Sequence, residues 1–195
     1  MKIKNIIKMM FLGTSLICTL GGCGKAEAET VNNIPTEEQV KDPFMFKDEL
    51  GEVSPYAEDF INSGKEDEMT FGDGTVVFKD DDRILVELKG NIYGRDAQYI
   101  TYCDDEGKIT AINAGIPFES TADETEYYHS LVDAADAAYG KCEVAEEGTM
   151  NEYVIYSIKD DGEGKENTLY MSRETAGDLD NPISFVNIAI SESEA

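Results

Sequence analysis

Alternating apolar and polar residues mark the middle of the chain as strand-forming. Ile84, Val86 and Leu88 alternate with Glu87 and Lys89, the period of two that turns one side of a strand towards a core. Glycine-containing turns then separate further apolar runs and predict hairpins. The same signals predict strands over Met69–Phe71, Thr75–Phe78, Tyr99–Cys103, Lys108–Ile116, Cys142–Ala145, Tyr153–Ile158, Leu169–Ser172 and Ile183–Ile190.

Two segments have helical spacing instead. The first begins at Ser54-Pro55, an N-cap followed by proline at the first helical position, and ends at Gly64. The second begins with Thr121 and Glu124, which have capping-box spacing, and ends at Gly140. The side that packs on the core is predicted from an apolar stripe that consists of Tyr128, Leu131, Val132, Ala135 and Tyr139.

The two halves of the chain resemble copies of one unit. Each predicted helix ends in a Gly-Lys pair, and the distance from that glycine to the last strand is 109 − 64 = 45 residues in one half and 183 − 140 = 43 in the other. The last strands also share a spacing, in which Ile109, Ile112, Asn113 and Ile116 match Ile183, Val186, Asn187 and Ile190. The alternative is that two unrelated units converged on similar turns.

These patterns predict an α+β fold of two similar helix-plus-antiparallel-sheet modules in tandem, whose strands could join in one continuous sheet. We place the first module at 44–118 and the second at 119–195. The order of elements is similar to the tandem modules of beta-lactamase inhibitor proteins and to small α+β envelope-lipoprotein domains. That resemblance rests on element order alone, so it transfers no functional residue.

The first 22 residues have the pattern of an export signal. Lysines at positions 2, 4 and 8 precede an apolar run over Met9–Leu20, which is too short to span a bilayer as a helix. Leu20-Gly21-Gly22-Cys23 then resembles the bacterial lipobox. The resemblance implies a bacterial lipoprotein, cleaved before Cys23 and acylated there. The polar, glutamate-rich composition that follows predicts an acidic tether over 23–43. An ordinary secretory signal with a chance cysteine is the alternative.

The charge narrows the class of partner. Cleavage before Cys23 leaves 195 − 22 = 173 residues with a net charge of 13 − 41 = −28. Such a charge repels nucleic acid and anionic headgroups, so we expect no nucleic-acid partner and membrane contact through the lipid anchor only. The charge suits cations or a basic partner at the extracytoplasmic face of the cell membrane, or it simply keeps an exported protein soluble.

Cysteine and histidine offer few candidates for chemistry. Cys103 and Cys142 would close a loop of 142 − 103 = 39 residues as a disulfide in a compartment that permits one, or each could be a buried free thiol. His129 is the only histidine, and on a helix Glu126 and Asp133 would flank it. We interpret it as a solvated, ion-pairing residue and predict no catalytic residue.

Acidic clusters at predicted turns could offer oxygen ligands to calcium, although aspartate and glycine also favour turns for conformational reasons. Their spacing does not match the EF-hand pattern, and we predict neither a metal site nor a cofactor. These clusters lie at 80–82, 104–107, 160–163 and 178–181.

The leading hypothesis is a non-enzymatic, lipid-anchored domain that binds an envelope or secreted macromolecule. Strand tyrosines would supply the recognition surface, although ordinary strand packing also explains them. The alternatives are a cation- or small-molecule-binding envelope lipoprotein and, with less support, a carboxylate-based envelope hydrolase.

Overall fold

The computed structural model describes residues 50–92, 94–146, 151–159, 166–178 and 181–192. Two helices and nine strands occupy this part of the chain. Their order is α1 (Pro55–Ser63), β1 (Glu68–Thr70), β2 (Val76–Asp80), β3 (Arg83–Ile92), β4 (Arg95–Cys103), β5 (Ile109–Phe118), α2 (Thr121–Tyr139), β6 (Val144–Glu146), β7 (Asn151–Lys159), β8 (Glu166–Asp178) and β9 (Asn181–Glu192).

Helix α1 begins and ends as its sequence predicts. The Ser54 hydroxyl accepts a hydrogen bond from the Ala57 backbone N–H, and Pro55 occupies the first turn. Gly64 has a φ of 68°, a left-handed conformation that glycine adopts without a Cβ penalty. Ala57 and Phe60 are buried, so the helix packs on the sheet through these two side chains.

Helix α2 begins one residue earlier than the predicted capping box. Ser120, not Thr121, is the N-cap, and its hydroxyl accepts from the Asp123 backbone N–H. Glu124 does not turn back to cap the helix, because its side chain is fully buried beside Arg173 of β8. Tertiary pairing of a charged group therefore prevails over the local capping pattern, while Gly140 still ends the helix as predicted.

The predicted fold class is wrong, because the chain forms one largely β fold and not two helix-plus-sheet modules. The nine strands form a single antiparallel sheet in the order β1-β2-β3-β4-β5-β9-β8-β7-β6. The physical reason lies at β5 and β9, the last strands of the two predicted modules. They pair with each other from Ala111↔Ser191 to Phe118↔Ser184, so no sheet edge separates 44–118 from 119–195.

Both helices pack on the same core. Val77 and Val86 of the sheet join Ala57 and Phe60 of α1, and the adjoining strands supply the side chains under α2. The predicted stripe of α2 is confirmed at Leu131, which is fully buried. Burial of a large apolar side chain contributes about 1.5–3 kcal/mol, and in the central strands this group includes Ile112, Ile116, Leu169, Met171, Val186 and Ile190.

Candidate functional site

A buried cluster of charged side chains joins α2 to strands β7 and β8. The Arg173 guanidinium, whose side chain is 6% exposed, lies 2.6 Å from a Glu152 oxygen and 3.6 Å from a Glu124 oxygen. The Thr125 hydroxyl donates to Glu124 and accepts from Arg173, at 3.3 Å in each case. One arginine therefore holds two carboxylates between the helix and the sheet.

The two carboxylates of this cluster respond to their surroundings in opposite ways. Burial raises the pKa of Glu124, and the Arg173 guanidinium offsets part of that rise. The hydrogen bond from Arg173 lowers the pKa of Glu152. Glu124 is thus shut off from solvent, whereas Glu152 is held by Arg173 and its side chain remains 16% exposed.

His129 lies at the exposed end of the same cluster. Its Nε2 atom is 3.0 Å from an oxygen of Glu152, and its side chain is 56% exposed. The predicted neighbours on its own helix, Glu126 and Asp133, are not the residues with which it pairs. The histidine on α2 therefore contacts a carboxylate of β7, across the helix–sheet interface.

The side of the sheet away from α1 and α2, which we call the distal face, carries two apolar clusters. Strand alternation turns Tyr99 towards the helices and Ile100 towards this face. The first cluster consists of Leu85, Ile100 and Tyr102, with Phe78 and Ala111 beside it. The second consists of Ile155, Tyr170 and Ala189 with Tyr153 beside it, and its two tyrosine rings stack at 5.7 Å.

Asn113 of β5 and Asn187 of β9 lie between these clusters at the centre of the distal face. Asn113 pairs with Ala189 and Asn187 with Gly115, so the asparagines are diagonal neighbours on adjacent strands. Their exposed fractions are 8% and 5%. The Asn187 amide donates to the Ser172 hydroxyl at 3.4 Å, but the carbonyl oxygens of both asparagines lack a hydrogen-bond partner.

Carboxylates outnumber basic groups around the distal face. Burial is the main cause that raises the pKa of Glu87 and of Glu174, which shows that both are partly desolvated. Arg83 and Lys89 are the basic residues among the side chains described there. The strand registers place six acidic residues on this face, namely Glu68, Asp80, Glu87, Asp96, Glu166 and Glu174.

The structure keeps Cys103 and Cys142 apart. Both are free thiols, so the disulfide considered from the sequence is not formed. Cys103 ends β4 and Cys142 precedes β6, and strands β5, β9, β8 and β7 separate β4 from β6 in the sheet. At about 4.8 Å between strands, that separation far exceeds the roughly 7 Å Cα distance a disulfide can bridge. Burial raises the pKa of the Cys103 thiol to about 11.

The acidic turn after β4 has a conformational role. The Asp104 carboxylate accepts hydrogen bonds from the backbone N–H groups of Glu106 and Lys108, at 3.0 and 2.9 Å. Within the described ranges, no group of three or more histidine, cysteine, aspartate or glutamate side chains could hold a metal ion. The cluster at 160–163 and the two middle residues of that at 178–181 lie outside the residues described.

The predicted signal, the lipidation site at Cys23 and the tether at 23–43 also lie outside the described residues. In the part of the chain that is described, neither helix has the length and apolar character needed to cross a membrane. No protein-family model matches the chain, and no match was found among curated proteins or solved structures.

Neither the burial of Arg173 nor that of the two asparagines was predicted from the sequence. Arg173 sits among polar neighbours along the chain, so no local pattern predicts its burial against α2. The asparagines did leave a signal, since Asn113 and Asn187 each interrupt an apolar run in a strand. A polar residue at the centre of a buried strand needs a hydrogen-bonding explanation.

Proposed function

We propose that this chain is an extracytoplasmic binding module, held on the membrane by lipid at Cys23, that captures a basic envelope or secreted protein. The lipobox resemblance of residues 20–23 supports the anchor. Diacylglycerol there supplies two acyl chains, whereas a single chain gives only marginal membrane binding. The distal face of the sheet supports the binding role.

The observation that carries the proposal is the aromatic and aliphatic character of the distal face. Tyr153 and Phe185 are half-buried there, and Ile183 is 42% exposed. The described helices pack on the other face, so among the described residues no helix covers the apolar side chains of the distal face. Aromatic residues at the centre of such a surface are typical of protein interfaces.

Charge supports a basic partner over a neutral one. Six carboxylates and two basic groups lie among the described side chains of the distal face, and the chain after cleavage would carry 13 − 41 = −28 charges. A field of that sign attracts lysine- and arginine-rich surfaces and increases association rates at low ionic strength. Nucleic acid and anionic lipid headgroups would be repelled.

Capture from envelope extract with a matched pair of variants tests the binding surface. Ile183 on the distal face and Ile61 on α1 are 42% and 41% exposed, so lysine at either position adds the same charge at similar cost to the fold. We expect Ile183→Lys to weaken retention of a basic protein about tenfold or more. Ile61→Lys should leave retention near that of the unmodified chain.

Equal retention by both variants, or equal loss, would contradict a distal binding face. The anchor has a separate test, because Cys23→Ala removes the acylated thiol. That variant should move the protein from the detergent phase to a soluble or unprocessed form. Unchanged processing and membrane retention would overturn the lipoprotein part of the proposal.

A further inference from the structure

We propose that Glu174 is the carboxylate of the distal face that receives a basic side chain of the bound protein. The inference rests on the proposed function and names the residue at which that partner is recognised. Glu174 lies on β8, opposite Asn151 of β7 and Phe185 of β9. Ile183, which is 42% exposed, is its diagonal neighbour on β9. A carboxylate and accessible apolar side chains therefore lie together on this part of the face.

The Glu174 carboxylate is open to a ligand. The residue is half-buried, and neither of its carboxylate oxygens is closed off from solvent, in contrast to the carbonyl oxygens of Asn113 and Asn187. No side chain of the described ranges forms a hydrogen bond or an ion pair with it. Burial raises its pKa, which shows that the group has lost part of its hydration. A cation beside it would supply the compensation that water no longer gives in full.

The other five carboxylates of the distal face are placed differently. Asp80 already lies 3.7 Å from the Arg83 guanidinium, and Glu166 accepts a hydrogen bond from the Ser157 hydroxyl. Burial and the charge of a neighbouring glutamate both raise the pKa of Glu87, so that group has a like charge nearby. The remaining two are exposed, and ion pairs at exposed sites contribute little.

The apolar neighbours of Glu174 favour a lysine or arginine side chain over a free metal ion. Both side chains carry an apolar methylene stem below the charged head. Such a stem can pack on Ile183 and Phe185 while its head reaches Glu174. A metal ion such as calcium requires six or more oxygens, and within the described ranges Glu174 belongs to no group of side chains that could hold a metal.

A matched pair of variants separates this subsite from the overall charge. Glu166 lies on the same strand and the same face as Glu174, and the 174 − 166 = 8 residues between them span about 27 Å of extended strand. In 0.15 M salt the Debye length is only about 8 Å, so each substitution acts locally. Glutamine in place of either glutamate removes the same charge and nearly preserves the shape of the side chain.

The full mature chain and both variants are titrated with penta-lysine in 0.15 M salt. We expect Glu174→Gln to weaken binding about tenfold, whereas Glu166→Gln should change it by less than about twofold. In the unmodified chain, NMR should show a larger shift of the Glu174 carboxyl resonance than of the Glu166 resonance. The unfolding midpoint of Glu174→Gln at pH 7 should stay level or rise, because burial already disfavours the charged form.

Three outcomes would overturn the subsite: no binding of penta-lysine, equal loss of affinity in the two variants, or a marked fall in the unfolding midpoint of Glu174→Gln. The last would assign Glu174 to the fold. Each of them leaves the proposed function to the Ile183→Lys experiment. A selective loss of affinity in Glu174→Gln without any captured basic protein would instead count against the proposed function.

Discussion

The two faces of the central sheet bury polar side chains in different ways. On the face under α2, Arg173 meets the carboxylates of Glu124 and Glu152, so buried charges of opposite sign lie together. On the distal face, Asn113 and Asn187 are neutral, and their carbonyl oxygens receive no hydrogen bond. The first arrangement ties two elements of one chain together by charge, although one Glu124 oxygen also lacks a hydrogen-bond partner, whereas the second involves neutral groups only.

The difference is therefore between buried charges and buried neutral groups, since unpartnered oxygens occur on both faces. An ion pair buried between a helix and a sheet has both partners within the chain. Removing one partner leaves the other charge buried without compensation, which destabilises the fold. An unpartnered neutral acceptor costs stability, so replacing Asn113 or Asn187 by an apolar side chain of similar shape should be nearly neutral or stabilising. The comparison therefore predicts opposite effects of mutation on the two faces.

The largest effect should come from Arg173→Met on the helix-covered face. It leaves the fully buried Glu124 without its cation, so we expect a loss of about 3–5 kcal/mol in the free energy of unfolding. Urea denaturation measures it. Arg83→Met, at a partly exposed pair with Asp80, is the control and should cost about 0–1 kcal/mol. Comparable losses of stability at both sites would contradict the proposed difference between the two faces.

A matched pair of isoleucines provides the next test of the difference between the two faces. Ile112 faces the helices and Ile100 the distal face, and they are 2% and 5% exposed. We expect Ile112→Ala to cost about 2–5 kcal/mol, as for other core truncations, because it lies in the main core. Ile100→Ala should cost less, since its smaller cluster can collapse more easily around the gap. A larger loss at Ile100 would show that the distal face is the better packed one.

The dependence of stability on pH should distinguish the two glutamates of the ion cluster. The pKa of Glu152 is lowered from 4.5, so its contribution is complete above pH 4.5 and is lost as pH falls through the lowered value. Glu152→Gln should therefore destabilise at pH 7, by about 1.5–3 kcal/mol, and much less in acid. Thermal unfolding at several pH values provides the measurement.

The effect of pH on stability should have the opposite sign for Glu124. Its pKa is raised from 4.5, so its contribution is complete below pH 4.5 and is lost as pH rises through the raised value. Relative to the unmodified protein, Glu124→Gln should thus do better at pH 7 than in acid. Parallel pH profiles for Glu124→Gln and Glu152→Gln would contradict the view that burial dominates one carboxylate and pairing the other.

Local signals predicted most of the elements, while long-range pairing escaped them. Ser54-Pro55 and Gly64 mark the two ends of α1, because helix capping depends on residues that are close in the chain. The pairing of β5 with β9 depends on which strand edges meet in space, so alternation within each strand could not reveal it. Glu124 illustrates the limit, since its capping-box spacing was a true local pattern that burial against Arg173 overrode.

The smallest predicted effect concerns the exposed end of the ion cluster. His129 is 56% exposed, although its Nε2 lies 3.0 Å from Glu152. Solvent screens such a pair, and exposed ion pairs contribute about 0–1 kcal/mol. His129→Gln should therefore fall in that range in urea denaturation at pH 7, well below the loss for Glu152→Gln. A loss as large as that of Glu152→Gln would mean that the stability of the ion cluster depends on the histidine. The cluster would then extend to the exposed surface of α2.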